Sequence, residues 1–204
     1  LRISASGWKN SYEKTHTGGN WQLFLDNLKH IALLRNENHP QMKIELFYHL
    51  YQHSTGEGFT FFQNLCKELQ VEFHPVYAYL ISLDDVLNHL EGTPLPESAE
   101  KARQCMLLDL EQGLSIAKQQ ISLECDAIRS VHINPDLSVS NCMMYYYPES
   151  NRAVNNFLEQ NIEEIMKIRL NCSLCIRCMR QAMHRYCGAY STFTPDIEML
   201  SRND

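Results

Sequence analysis

Apolar residues along the first eighty positions follow two different periods. Between residues 21 and 32 they recur every three or four positions, which is typical of one face of a helix, and Asn20 stands where it can cap that helix. Residues 61–69 carry a second helical stripe. Short β-like runs lie around these stripes, at residues 1–7, 43–51 and 71–80. The alternation predicts βαβ units and a parallel sheet, and Pro75 predicts a bulge or an early end in the third strand.

Further helical patterns follow the third predicted strand. Ser82, with Asp85 three residues later, forms a pattern close to a capping box and predicts the start of a helix. Pro94 and Pro96 interrupt the pattern, and beyond them we expect one longer helix from about residue 97 to residue 119. This second helix would link the βα units to the rest of the chain.

The character of the chain changes after residue 120. The stretch VHINPDLSVSNC, residues 131–142, predicts a small hairpin that turns at NPD. A helix over residues 161–170 leads into a cysteine-rich stretch, and the last dozen residues are polar and predicted to be loose. The sequence therefore predicts two domains. Residues 1–120 hold the parallel strands and the linking helix, and residues 121–204 form a small α+β domain rich in cysteine.

Three βα units are too few for a complete fold. Each unit takes about 30 residues, so three of them neither close an eight-stranded barrel nor make a comfortable open sheet. A larger fold would need further strands upstream of those present. The chain also begins at Leu1 instead of a methionine, and we expect this position to be an internal cut. The fold class predicted from the pattern is α/β, with the first domain resembling the back half of a larger structure.

Composition narrows the possible partners and the compartment. Of the 204 residues 44% are hydrophobic, which is enough for a substantial core, and 24 acidic residues outnumber 18 basic ones to give a net charge of -6. That balance argues against a nucleic-acid partner, which requires clustered Lys and Arg. No apolar run approaches the ~20 residues that span a bilayer, and no secretory signal is evident. Cysteines clustered near one end favour metal chemistry in the reducing cytoplasm.

The cysteine-rich stretch is NCSLCIRCMRQAMHRYC, residues 171–187, and it holds four of the 8 cysteines. Cys172, Cys175 and Cys178 follow the spacing C-x2-C-x2-C. Two-residue gaps bring soft thiolate donors to one side of a short loop, as metal ions and clusters require. The spacing is closer to the iron–sulfur run of bacterial ferredoxins than to a zinc ribbon, which uses two separate C-x2-C knuckles. An iron–sulfur cluster is favoured, and zinc stays open as the alternative.

Two more cysteines flank the predicted hairpin. Cys125 precedes it and Cys142 ends it, so folding the hairpin could bring both toward the cysteine-rich stretch. The predicted four-thiolate set is Cys125, Cys142, Cys175 and Cys178, and its competitors are Cys172 and Cys187. Cys66 and Cys105 stand alone on helical patterns and are predicted to be small buried hydrophobic residues.

Histidines are weaker candidates for chemistry. His49 and His53 lie near the end of the second predicted strand, where βα scaffolds place their sites, and His184 lies beside the cysteines. A histidine on an aromatic-rich strand is more often a core residue whose ring nitrogens are satisfied, and this interpretation is favoured here. The aromatic run MMYYYP, residues 143–148, is predicted to pack the hairpin. The sequence contains no G-x-S-x-G, P-loop or G-x-G-x-x-G motif.

Taken together, these motifs resemble the C-terminal part of a radical S-adenosylmethionine (radical SAM) protein with a SPASM- or twitch-type auxiliary cluster domain. ISASG, residues 3–7, is similar to the segment on the fourth strand of that family's barrel, with Ser6 where an Asp is common. YEKTHTGGNW is similar to the turn that follows, with Thr17 in the place of an Arg. VHINPDLSVSNC resembles the family's hairpin, with Leu137 in place of a glycine. The resemblance covers nearly the whole chain in order.

The resemblance implies the C-terminal half of a partial (β/α)6 barrel of parallel strands, followed by a small domain that holds an auxiliary [4Fe–4S] cluster. Ser4 would contact the ribose of S-adenosylmethionine. The cluster ligands would be Cys125, Cys142, Cys175 and Cys178. The implied partners are S-adenosylmethionine, a peptide or small-molecule substrate, and a reductant such as ferredoxin or flavodoxin.

The C-x3-C-x2-C motif that holds the family's catalytic cluster is absent from this sequence. The chain alone is therefore expected to be inactive, and the enzyme would require a preceding part that carries the motif. The alternative is a non-catalytic module, derived from a degenerate or truncated relative, whose cysteines bind zinc or a structural cluster. The sequence does not identify the substrate.

Overall fold

The computed structural model describes residues 1–80, 82–122, 124–144, 151–186 and 200, and in it the chain divides into two units. The first unit contains residues from Leu1 to Ala78 together with Cys105–Leu108. The second contains Tyr79–Gln104 and the described residues from Asp109 onward to 186. Each unit has a sheet of its own.

Three parallel strands form the sheet of the first unit, in the order β1-β2-β3. The strands are β1 (Arg2–Ala5), β2 (Glu45–Leu50) and β3 (Glu72–Tyr77). The short helix α1 (Tyr12–Thr15) and the long helix α2 (Trp21–Asn38) connect the first two strands, and α3 (Glu57–Glu68) connects the second pair. The predicted alternation of strands and helices and the predicted parallel sheet are confirmed.

Alternation along the strands determines where the core of the first unit lies. On β2, Leu46, Tyr48 and Leu50 are fully buried in a cluster with apolar side chains of α2 and α3, whereas Glu45, Phe47 and His49 alternate with them and are half-buried. Successive strand side chains point to opposite faces, so the second set lies on the other face of the sheet. That face carries Ser4 beside Phe47, and Phe47 beside His74.

Local signals predicted the start of α2 correctly and left two possibilities for β3. The side chain of Asn20 accepts a hydrogen bond from the backbone N–H of Leu23 at 2.9 Å, as an N-cap does.

The register of β3 with β2 runs without a shift through Pro75 to Tyr77. The predicted bulge is therefore wrong, and the strand ends early instead. Proline is tolerated here because β3 is an edge strand in the described sheet.

The helices of the second unit differ from the prediction at one point. Ser82 caps α4 (Leu83–Leu90) as expected, because its hydroxyl accepts from the N–H of Asp85. The single helix predicted for residues 97–119 is wrong: the structure has α5 (Glu97–Cys105) and α6 (Leu110–Gln119). The break has a local cause, since Asp109 is extended at φ -63° and ψ 151° and its carboxylate accepts from Glu111 as the N-cap of a new helix.

The predicted hairpin is confirmed, and a third strand pairs with it. β4 (His132–Ile133) pairs antiparallel with β5 (Val139–Ser140), and β6 (Arg152–Val154) adds to the other side of β5. Two helices follow, α7 (Ile162–Leu170) and α8 (Ser173–Arg180). Val139, Val154 and Ile165 form a small buried core between this sheet and α7. The sequence-based prediction did not include β6.

Leu137 closes the hairpin turn in a conformation that suits glycine. Its φ is +66°, in the left-handed region, and its N–H donates to the carbonyl of Asn134 at 2.9 Å. The left-handed conformation costs a residue with a side chain about 1–2 kcal/mol. Glycine avoids this strain but loses about 0.5–1 kcal/mol more conformational entropy on folding, which offsets part of the gain. We therefore expect Leu137→Gly to raise the free energy of unfolding by about 0.5–1 kcal/mol, measured by urea denaturation. Leu137→Ala keeps the Cβ atom and is the control; an equal gain in both variants would contradict the explanation.

Candidate metal centre

Helix α8 positions two of the predicted ligands. Helix α7 begins with a capping box, in which Asn161 and Glu164 each bond the backbone N–H of the other through a side chain. The chain breaks briefly after α7 ends, and Cys172 is then the N-cap of α8. Cys175 and Cys178 lie within the helix, three residues apart. The predicted loop between the cysteines is therefore wrong. A helix serves the same purpose, because side chains three positions apart share one face.

The hairpin positions Cys142 through an asparagine. The side-chain amide of Asn151 donates to the carbonyl of Cys142 at 2.6 Å, and its carbonyl oxygen accepts from the N–H of Cys142 at 2.9 Å. The backbone carbonyl of Asn151 also accepts from the N–H of Asn141 at 2.6 Å. Asn151 is only 3% exposed, so these bonds are protected from water. Asn151 belongs to no motif in the sequence, so its role is evident only from these contacts.

Four cysteines line one cavity of the second unit. Its volume is about 30 Å³. By the same measure one water molecule needs about 10–15 Å³, so the cavity has room for more than one. The thiols on its wall belong to Cys125, Cys142, Cys175 and Cys178. The rest of the wall is mainly apolar, with three polar side chains, and consists of Leu83, Ala127, Ile128, Asn141, Arg169, Leu174, Met179 and His184. All four cysteines of the predicted set thus face a single space, brought there from three segments of the chain.

The competing cysteines have different positions. Cys172 is half-buried and does not line the cavity, although it is close enough to Cys175 to influence its ionisation. Cys187 lies outside the described residues, as does most of the aromatic run that was predicted to pack the hairpin. In the first unit, Cys66 is buried in the core as predicted, and burial raises the pKa of its thiol to about 12. The prediction for Cys105 is wrong, because its side chain is exposed.

The spacing of the thiols bears on the kind of group they suit. A zinc ion bound by tetrahedral thiolates would hold its sulfur atoms about 3.8 Å apart, since each Zn–S bond is about 2.3 Å. Among the described residues, three potential ligand atoms lie within 4.8 Å of one another only at Glu45, Glu72 and His74. No three cysteine sulfurs of the cavity meet that limit. The described sulfur atoms are therefore not arranged as the ligands of a single tetrahedral zinc ion.

The group of Glu45, Glu72 and His74 has a simpler explanation. Arg2 pairs with the Glu45 carboxylate at 3.1 Å, and Lys43 pairs with the Glu72 carboxylate at 3.2 Å. The side chains involved are partly or largely exposed to solvent. These ion pairs account for the cluster of charged groups on the sheet without a metal.

Electrostatics keep the thiol of Cys175 neutral when no metal is bound. Burial raises its pKa to about 12, with smaller contributions in the same direction from Cys172, Cys142 and Cys125, and the nearby Arg169 acts in the opposite direction. Thiolate, and not thiol, is the form that binds metals. Ligation would therefore have to release the proton, and only a strongly bound cationic group can compensate for that cost in a buried site.

Ser4, the residue predicted to contact S-adenosylmethionine, lies near the carboxyl end of β1. Ser4 is exposed on the face of the sheet away from the core. Ser6 is buried, and its hydroxyl shares a hydrogen bond with the hydroxyl of Thr15 at 2.6 Å. Thr17 is exposed beyond α1. The side chain of Ser4 is therefore accessible to a ligand, whereas that of Ser6 is not.

The histidines in and after the second strand, His49 and His53, are partly buried. Burial lowers the pKa of His49, against a smaller opposing effect of a hydrogen bond with the backbone of Ala5. Burial also lowers the pKa of His53. His184 lines the cysteine cavity in the second unit.

Comparisons with known proteins add no identification. No protein family model, curated protein or solved structure shows a significant match to the chain. The resemblance to radical SAM proteins therefore remains a prediction from the sequence motifs. Among the described residues, no helix combines the length and the apolar character needed to cross a membrane.

Proposed function

We propose that this chain is the C-terminal part of a radical SAM enzyme and that its second unit holds an auxiliary [4Fe–4S] cluster. The observation that carries the proposal is the convergence of Cys125, Cys142, Cys175 and Cys178 on one cavity. The same four are the set that the sequence motifs indicate, and packing alone does not require four cysteines to line the same space. The donor set is entirely soft sulfur, which is what iron–sulfur clusters use.

Each part of the chain has a distinct role in this proposal. The four cysteines, as thiolates, would bind the cluster, and the apolar side chains around them would limit water and help to set its potential. Ser4 would contact the ribose of S-adenosylmethionine from the exposed face of β1. When bound, the cluster would supply electron transfer or a site that anchors the substrate.

The wider enzyme is proposed to act on a peptide or small molecule in the cytoplasm, with a reductant such as ferredoxin or flavodoxin. The sequence lacks C-x3-C-x2-C, so cleavage of S-adenosylmethionine would require a part of the enzyme that carries this motif. The 204-residue chain by itself is expected to bind its cluster and to leave S-adenosylmethionine intact.

The first experiment is to measure iron, sulfide and zinc in the chain after anaerobic purification, and to record the visible absorption spectrum of the same sample. About four irons and four sulfides per chain, with a broad brown absorption band, would support the proposal. One tightly bound zinc without iron would overturn it and leave a metal-stabilised, non-catalytic module. A chain that binds neither metal after reconstitution would exclude both.

A further inference from the structure

Arg169 is a buried cation on the wall of the cysteine cavity. It lies near the end of α7, is only 3% exposed, and contributes to the lining together with the four thiols. Arginine is rarely buried unless its charge is paired. Within the described residues, no carboxylate lies within 4.0 Å of its guanidinium, as the ion pairs of this unit involve other arginines.

Its hydrogen bonds reach two of the ligand-bearing segments. Nε donates to the carbonyl of Asn141 at 3.1 Å, directly before Cys142. One terminal nitrogen donates to the carbonyl of Ala127 at 3.0 Å and the other to that of Ile128 at 3.4 Å, in the turn that begins after Cys125.

The helix that carries Arg169 leads directly into the third segment. α7 ends at Leu170, and α8, which holds Cys175 and Cys178, begins at Ser173. Arg169 thus joins two of the ligand-bearing segments to the helix that leads into the third. The planar fork of arginine suits this task, since it can donate in several directions at once.

Among the described side chains and backbone groups, the partners of Arg169 are three carbonyl groups and the thioether of Met166, none of which neutralises its charge. A buried cation with no anionic partner is costly. Four thiolates carry more negative charge than the oxidised core of a four-iron cluster carries positive charge, so the assembled group is an anion. It would form beside Arg169, within a cavity where water screens charges weakly.

We propose that Arg169 is the positioning residue and counter-cation of the auxiliary cluster, holding the three ligand segments together and raising the cluster's reduction potential. This inference rests on the proposed function. The physical reason is that a fixed positive charge favours the reduced cluster, which has one more electron than the oxidised form, and net charge and hydrogen bonding set such potentials.

The test compares anaerobically loaded wild type with Arg169→Met, Arg169→Lys and Arg129→Met. Arg129 is in the same turn as Ala127, but its side chain is 74% exposed, so its loss removes an equal charge at the surface. At the potential where half of the wild-type cluster is reduced, we expect the ratio of reduced to oxidised cluster in Arg169→Met to be at least tenfold lower. A tenfold change in this ratio corresponds to a shift in reduction potential of about 59 mV for one electron. Arg169→Lys and Arg129→Met should stay within about threefold of wild type.

A potential in Arg169→Met equal to that of Arg129→Met would overturn the inference. If Arg169→Met binds no cluster, its metal-free form is compared with metal-free wild type by circular dichroism and urea unfolding. Intact folding with loading restored in Arg169→Lys would support the role, whereas unfolding of both variants would mean that Arg169 only stabilises the fold and would overturn it. Wild type that contains no iron or sulfide would instead refute the proposed function itself.

Discussion

Cys142→Ser will lower the iron and sulfide content of the anaerobically purified chain from about four of each to below about one. The same loss is expected for Cys125→Ser, Cys175→Ser and Cys178→Ser, because all four thiols line the cavity. A serine hydroxyl is a poor ligand for iron in this setting, being harder and far less acidic than a thiol. Iron, acid-labile sulfide and visible absorption are measured on each variant.

Two cysteines supply matched controls. Cys105→Ser changes an exposed thiol of the first unit and should leave the iron content unchanged. Cys172→Ser is the sharper control, because Cys172 belongs to the same C-x2-C-x2-C run yet lies off the cavity wall. If Cys172→Ser loses the cluster while Cys178→Ser retains it, the ligand set assigned here is wrong.

The second large effect is expected from Asn151→Leu. This change keeps the approximate volume of the side chain but removes both hydrogen bonds to the backbone of Cys142. One hydrogen bond contributes about 0.5–1.5 kcal/mol to stability, so the loss of both should lower the free energy of unfolding by about 2 kcal/mol. Urea unfolding of the metal-free chain measures the loss, and the iron content measures its effect on the site.

Asn155→Leu is the matched control for Asn151→Leu. Asn155 is exposed just after β6, so its replacement should change the free energy of unfolding by no more than about 0.5 kcal/mol. Equal losses in the two variants would show that the hydrogen bonds to Cys142 do not stabilise the unit. A stability loss in Asn151→Leu with normal iron content would show that Cys142 reaches its place without this anchor.

The agreement between sequence and structure is best where a feature depends on neighbouring residues. The caps at Asn20 and Ser82 were predicted correctly because an N-cap bonds a backbone N–H only two or three residues away. The break before α6 had the same kind of signal in Asp109. It was missed because the apolar period continues across it, and the cap becomes evident only from the backbone conformation.

The sequence pattern misled where one spacing fits two structures. C-x2-C predicts converging thiols in a loop, but the same interval places side chains on one face of a helix, which is what α8 adopts. Likewise, Cys105 stands on a helical pattern like that of Cys66, yet it is exposed and Cys66 is buried. A helical period shows that one face is apolar; it does not show which neighbour covers a given position.

Period, turn chemistry and ligand spacing are local properties of a chain, so the α/β class, the parallel sheet, the hairpin and a candidate set of four cysteines could be predicted without coordinates. The arrangement of these cysteines around one cavity depends on contacts between distant segments, and so do the positions of Asn151 and Arg169. Arg169 bonds residues 28 and 42 positions away. A periodic pattern does not encode such partners, because they are brought together only when the chain between them closes into a loop. Which carbonyl groups Arg169 bonds also depends on which ones lack another partner after burial from water.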